Sequence, residues 1–426
     1  GAFGRTFGDE KGGKDKSVLA GESVIADVVA EVVDGIKVHK EKGPVRLHAD
    51  AGAPLAFTGP KMQDWLDKAK GRIDDQLALT PYGSVGQIKL MRLKSRIENT
   101  LAALKAVREG QPGVARWMEM ITGRDGLPYP TAQSSPVDVA PMLRSQLWVV
   151  DQPSKFDDSG FEGEPDDGEE SGERSREPIT VATMSATVPR GFTVQAGLSC
   201  RTTVYPTPFD DAYDGSALYV PILTRDNAQE VCRDGWNGRL QFDVKKHPAW
   251  AAERIVRLVT ANRGSALVLS ATAEAGRLYA AQLRAALSGA GIQVLSQFDG
   301  LSLREITAAW KADHSAVLVG TRSLMTGVDA PGETNSLVIV DRIPRAAGNP
   351  VDDARVEALV ENDVVDDKWA GDRMVYVADA ALLLAQAAGR LIRHATDRGM
   401  VAVLDPRLLK TSVVKYAEQT RQQLVD

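Results

Sequence analysis

Gln386, Arg390 and Arg393 fall within the run Gln386-Ala-Ala-Gly-Arg-Leu-Ile-Arg393. Residues three and four apart share a helix face, so a helix beginning near Ala378 would carry all three side chains together. Two guanidinium groups and an amide on one face suit a triphosphate held between two lobes, with arginine stabilising charge at the γ-phosphate. Gly389, inside the run, would let another backbone approach closely. The same spacing also fits a surface helix whose arginines pair with acids, and spacing alone does not choose.

Hydroxyl groups form a second set. In Val319-Gly-Thr-Arg-Ser-Leu-Met-Thr-Gly-Val-Asp-Ala-Pro-Gly332, Thr321 and Ser323 follow an apolar run, and Gly327 and Asp329 precede a Pro-Gly turn. Hydroxyls and backbone N–H groups at a strand end can hold backbone phosphates, and an aspartate there can receive a hydrogen bond across a nucleotide cleft. Ser270 and Thr272 follow the run ALVL in the same way, and Ser185 and Thr187 sit in Met184-Ser-Ala-Thr187. Ordinary loop capping also uses these residue types.

Other chemistry finds little support. Gly8, Gly13 and Lys14 have phosphate-loop spacing, but Asp15 stands where Ser or Thr must hold Mg²⁺. The five histidines are scattered, and two cysteines, Cys200 and Cys232, make no disulfide or four-cysteine metal framework. No metal site is expected within this chain. Trp236 and Trp250 are expected in the core rather than stacked on bases, and Asp210-Asp211 in a solvated turn.

The elements that must position these groups follow from periodicity. After Pro178, short apolar runs at 179–184, 217–222, 266–271, 292–297, 316–321, 337–342 and 401–406 alternate with helical patterns near 247–261, 273–288, 301–311 and 378–392. Continuous apolar strands alternating with helices predict an α/β fold, a parallel sheet covered on both faces. Ligands bind such sheets at the carboxyl ends of the strands, where the hydroxyl clusters fall. Residues 1–16 are expected as a flexible lead-in and 17–150 as mainly helical. A helix over 86–109 turns Ile88, Leu90, Leu93, Ile97, Leu101 and Leu104 to one face and basic groups including Lys94 and Arg96 to the other. That basic face is either solvated and charge-paired or turned toward nucleic acid. Residues 151–177, with 11 acidic and 3 basic groups, are expected as a flexible insertion.

The 426 residues are 43% hydrophobic and 25% charged, with a net charge of −6. This composition excludes a disordered chain, and no apolar run reaches the roughly 18 residues of a membrane span. A cytoplasmic location without a membrane partner is the expectation.

Taken in order, the motifs resemble the C-terminal half of the DinG/XPD-like branch of superfamily 2 helicases. Met184-Ser-Ala-Thr187 is similar to a Thr-Ser-Ala-Thr segment of that family, and Gly264–Thr272 to its next strand. The stretch 320–332 resembles a segment ending in Gly-Val-Asp and Pro-Gly. The strongest likeness is Gln386–Arg393, followed by Asp397-Arg-Gly399 and Leu404-Asp-Pro-Arg407. The likeness is strong over about 178–410 and weaker over 17–150, where 136–147 loosely resembles the return from an arch into the sheet.

The resemblance implies a RecA-like lobe over 178–426, an arch-like region over 17–150, and ATP hydrolysis coupled to movement on single-stranded DNA, with RNA as an alternative strand. It implies that Arg390 and Arg393 reach the γ-phosphate and that Gln386 positions them. Gly327 and Asp329 would couple nucleotide state to strand grip, and Ser270, Thr272, Thr321 and Ser323 would contact strand phosphates. Ser185 and Thr187 would relay between lobes. Met325 and Thr326 replace the family's bulky aromatic and acid. No lysine-ending phosphate loop and no Asp-Glu-Ala-His box occurs in the 426 residues. ATP and Mg²⁺ would therefore be held mainly by a first motor lobe outside this chain, and the chain alone is expected to be inactive. The rival expectation is a non-catalytic nucleic-acid-binding or interaction module that keeps the helicase fold.

Overall fold

The computed structural model describes residues 16–38, 43–47, 55–123, 125–151, 176–185, 187–188, 191–235, 238–325 and 332–425. The expected lead-in and most of the acidic insertion lie outside these residues, as does Trp236. The chain divides into two compact units, Gly1–Pro141 with Gly348–Gly371, and Met142–Ala347 with Asp372–Asp426.

The first unit holds helices α1 (Lys16–Val38), α2 (Thr58–Ala78) and α3 (Val85–Glu109). In α3, Leu90, Ile97 and Leu104 are buried, while Ile88 is exposed. Leu93 and Leu101 are partly buried against the same cluster as Leu90 and Ile97, so of the face read from periodicity only Ile88 is turned out. Ser84 caps α3 by accepting from the Gln87 amide, and Gly110 ends it at φ 60°. The buried Arg116 then donates to the Val107 carbonyl at 2.8 Å, satisfying an orphan acceptor of the last turn.

Residues 114–136 correct the mainly helical expectation. They form a hairpin, β2 (Val114–Thr122) with β3 (Pro128–Pro136), extended by β1 (Val45–Arg46) on the other side of β2. Pro128, Pro130 and Pro136 are tolerated because β3 is an edge strand, where a missing N–H costs no ladder bond. The helix Pro350–Glu361 also belongs to this unit: Arg46 pairs with Glu357 at 2.6 Å, and Arg355 donates to the Val137 carbonyl at 3.1 Å.

The second unit is built on six parallel strands: β4 (Ala217–Tyr219), β5 (Ala266–Leu269), β6 (Val294–Ser296), β7 (Val317–Gly320), β8 (Leu337–Val340) and β9 (Met400–Val403). Their order is β6-β7-β5-β8-β9-β4. Its longest helices are α4 (His247–Ala261), α5 (Ala273–Leu287), α6 (Leu303–Ala312) and α7 (Ala378–Ala388). Alternation sorts the strand residues between two cores. Leu267, Leu269, Leu318 and Val340 pack with Ile306 and Trp310 of α6 and Leu383 of α7. Val268, Val317, Val319 and Ile339 pack with Ile255 and Val259 of α4 and Tyr279 and Leu283 of α5. Both faces are covered, so the strands read as unbroken apolar runs.

The expected strand at 179–184 is absent. Residues 179–185 carry no regular structure, and Ile179 and Met184 are exposed, with no face to bury. Trp250 lies in the core, and Cys232 is buried, which pushes its thiol up. No helix among the described residues is long and apolar enough to cross a membrane.

Candidate functional site

The carboxyl ends of β5, β6 and β7 bring three polar segments together. The register pairs Leu269 with Gly320, so the loops after β5 and β7 leave the sheet side by side. Ser270 is fully buried, and its hydroxyl donates toward the carbonyls of Gly320 at 3.1 Å and Thr272 at 3.0 Å. It braces two loops; its proton is spent inside the protein, which corrects its expected role on a phosphate. Thr272 is exposed and caps α5, accepting from the Ala275 amide at 3.2 Å. Its own hydroxyl hydrogen is left for an outward acceptor, beside the positive end of a 15-residue helix.

Thr321 and Ser323 meet at Gln297, a residue that sequence reading passed over. Gln297 Oε1 accepts from the Thr321 amide at 2.8 Å and from Ser323 Oγ at 3.1 Å, and Nε2 donates to Thr321 Oγ1 at 3.0 Å. A Cβ on Gly320 would sit 2.3 Å from Gln297 Oε1, so the absence of a side chain there admits the amide. A lone glutamine after a strand is no motif; only the β6–β7 register places it.

Behind these loops lies the buried Asp341, at the end of β8. It accepts from the Ala271 amide at 2.9 Å and from the Tyr279 hydroxyl at 3.0 Å. Burial raises its carboxyl to about 7, although the Arg342 charge and these bonds pull the other way. Asp405, after β9, is equally buried. Burial pushes its carboxyl up, but the Arg407 fork at 2.8 and 2.7 Å, the Tyr416 hydroxyl and the Ile343 amide together hold it below the ordinary value.

The Gln386 run departs from one helical face. Helix α7 ends at Ala388. The amides of Arg390 and Leu391 bond three residues back, to Ala387 and Ala388, and those of Arg393 and His394 donate to Asp397 Oδ2 at 2.7 and 2.8 Å. Asp397 captures donors that would otherwise continue the helix. Gln386 is thus on α7, Arg390 in the following turn and Arg393 beyond it, all half-buried. Among the described residues, a Cβ on Gly389 would meet the carbonyls of Ala385 and Gln386.

Arg390 Nε donates to the Met325 carbonyl at 2.9 Å, and Asn335 Nδ2 donates to the Arg390 carbonyl at 2.9 Å. Arg322 pairs with Asp379 at the start of α7, 3.3 Å away. Gln386 Nε2 reaches Thr187 Oγ1 at 3.3 Å. Thr187 also bonds to Ser185, whose hydroxyl donates to the Thr187 carbonyl at 2.8 Å. The three motifs therefore converge through α7. Gly327 and Asp329 lie outside the described residues.

In the first unit, Lys94 pairs with Asp74 at 2.7 Å and Lys70 with Glu98 at 3.1 Å, linking α2 to α3. The hydrogen bond from Lys94 to Asp74 holds its ammonium above the ordinary value. Lys94 thus has a structural partner, whereas Arg96 is exposed. No group of three His, Cys, Asp or Glu among the described residues comes together to hold a metal ion.

Residues 255–423 match a family described as the helicase C-terminal domain. The chain is 39% identical over 171 residues to the ATP-dependent helicase DinG of Mycobacterium tuberculosis, covering 40% of this chain and 24% of that protein. It is 34% identical over 222 residues to the ATP-dependent DNA helicase YoaA of Escherichia coli, covering 51% of this chain and 31% of that protein. A solved structure titled XPD helicase aligns with 95% of this chain and 60% of its own at a TM-score of 0.47 and 11% identity. The matched stretches span about a quarter to a third of these curated relatives. Over its C-terminal part the chain is thus similar to the helicase C-terminal domain and to the DinG and YoaA helicases.

Proposed function

We propose that this chain supplies the second motor lobe and an arch-like region of an ATP-dependent DNA helicase or translocase of the DinG type. One observation carries this most: segments from positions 187, 325 and 386–390 are hydrogen-bonded to one another around α7, while a hydroxyl cluster stands at the neighbouring strand ends. A nucleotide sensor and a strand grip built on one sheet are what a motor must couple. A binding module needs only the second.

Bound between this lobe and a first lobe, ATP would supply the phosphoryl group whose transfer to water drives movement. Arg390 and Arg393 would face its γ-phosphate. The bond from Arg390 Nε to Met325 fixes the plane of one guanidinium before any ligand arrives, so orientation need not be gained at binding. Gln386, held to Thr187, would report on the segment between lobes. Mg²⁺ would be held mainly by the first lobe; the described residues form no carboxylate set for it. Thr272 and Thr321 would donate to backbone phosphates of single-stranded DNA. Ser270 and Ser323 would brace them, and Arg96 would add charge from the first unit.

Binding of a labelled oligodeoxythymidylate to this chain, followed by anisotropy from low to high salt, tests the strand grip. Affinity that falls steeply with salt is expected. A chain with no affinity for the strand at low salt would overturn the proposal.

A further inference from the structure

We infer that Gln297 is a positioning residue that sorts the two hydroxyls of the β7 loop, leaving Thr321 as the donor to a strand phosphate and Ser323 as a tether. This rests on the nucleic-acid role proposed above and goes one step further, to individual protons.

The proton directions follow from obligate donors. The Thr321 backbone N–H can only donate, and it lies 2.8 Å from one terminal atom of the Gln297 side-chain amide. That contact identifies this atom as the oxygen, Oε1, and the other terminus as the –NH₂ group. The –NH₂ group lies 3.0 Å from Thr321 Oγ1 and donates to it, so the Thr321 hydroxyl accepts on its inner side and keeps its hydrogen for an outer partner. Ser323 Oγ lies 3.1 Å from Oε1, which can only accept. Ser323 therefore spends its single proton on Gln297. Toward solvent it offers lone pairs, which a phosphate oxygen does not want. The two hydroxyls are two residues apart in sequence, yet only one can serve an anion.

The backbone holds this arrangement. The Gln297 amide N–H donates to the Val319 carbonyl at 3.0 Å, continuing the parallel ladder, and Gly320 leaves the space its side chain crosses. Glutamate at 297 would keep both bonds to Oε1. It would have no donor for Thr321, whose hydrogen would then turn inward to the carboxylate.

The test is oligodeoxythymidylate binding by the full chain carrying Thr321→Val, Ser323→Ala, Gln297→Glu, and the Thr321→Val/Gln297→Glu pair. Thr321→Val keeps the branched shape and loses the donor, and should weaken binding about tenfold, the scale of one hydrogen bond to a charged group. Ser323→Ala should weaken binding less than Thr321→Val does, because Ser323 touches no ligand. Gln297→Glu should weaken binding at least as much as Thr321→Val. In the Thr321→Val background it should cost much less, because the proton it redirects is already gone. A merely structural role for Gln297 would leave its cost unchanged in that background. The inference is overturned if Thr321→Val binds like the wild type, if Ser323→Ala is the weaker binder of the two, or if the Gln297→Glu cost is additive. A wild-type chain that does not bind the strand at all removes the proposed function itself, and this inference with it. Should Gln297→Glu fail to fold, the Thr321→Val and Ser323→Ala comparison still decides.

Discussion

A guanidinium serves a phosphate only if it arrives in one orientation, and Arg390 has its Nε committed to a backbone carbonyl. Lysine can neither make that bond nor present a planar fork. In the ATP-hydrolysing protein, Arg390→Lys and Arg390→Ala are both expected to lower turnover by about 10³ or more, the range of an arginine at the γ-phosphate. DNA binding should be unchanged. Turnover near wild type in either variant would remove Arg390 from the phosphate. Asp341 makes a prediction of a different kind. Its carboxyl rises from an ordinary 3.8 to about 7 through burial, so the folded state holds the proton more tightly than the unfolded one. Its contribution to stability is therefore greatest below about pH 4 and falls as pH rises to about 7. Asn at this position cannot titrate. Melting curves should show wild type losing stability relative to Asp341→Asn across that window; parallel curves would contradict a raised Asp341.

At the scale of elements, the charged pairs between α2 and α3 separate two lysine and arginine roles that the basic face of α3 had merged. Arg96→Glu should weaken DNA binding and flatten its dependence on log salt by about one unit per lost phosphate contact. Lys94→Glu should act first on Asp74, lowering stability with a smaller change in salt dependence. Equal effects on the salt slope would contradict this division. Between α4 and β5, Gly264 has φ 85°, and a Cβ there would lie 1.9 Å from the Ser315 carbonyl. Gly264→Ala should cost at least about 1–3 kcal/mol in backbone strain, before the clash is counted. A melting temperature equal to wild type would contradict the close approach. The parallel sheet was legible because β5, β7 and β8 are buried on both faces, which leaves an unbroken apolar signature in Ala266–Leu269 or Leu337–Val340. The β2–β3 hairpin was not, because its edge strand is written in prolines. The run 179–184 misled in the opposite direction: beyond Ile179, which bonds to the Trp148 carbonyl, its β-type residues pair with no strand among the described residues.

For the whole molecule, what was legible of the candidate site was its residue types and their order. Gln386, Arg390, Thr272 and Thr321 were found from motifs, and structure brings them onto or beside one sheet. What escaped was pairing over long sequence distance. Gln297 serves Thr321 from 24 positions away, and Asp341 serves Ala271 from 70. Residues 348–371 pack in the first unit although they lie between β8 and α7 in sequence. Nothing local in Asp341 or Gln297 announces its partner. The same gap separates sites from activity. This chain holds arginines and hydroxyls suited to phosphates, while its sequence has no lysine-ending phosphate loop and no Asp-Glu-Ala-His box. The most direct measurement is ATP hydrolysis with and without single-stranded DNA, made on this chain alone and on this chain joined to a first motor lobe. DNA-stimulated turnover that appears only when the first lobe is present is the predicted result. Turnover by this chain alone, or strand binding without turnover when both lobes are present, would contradict a second motor lobe.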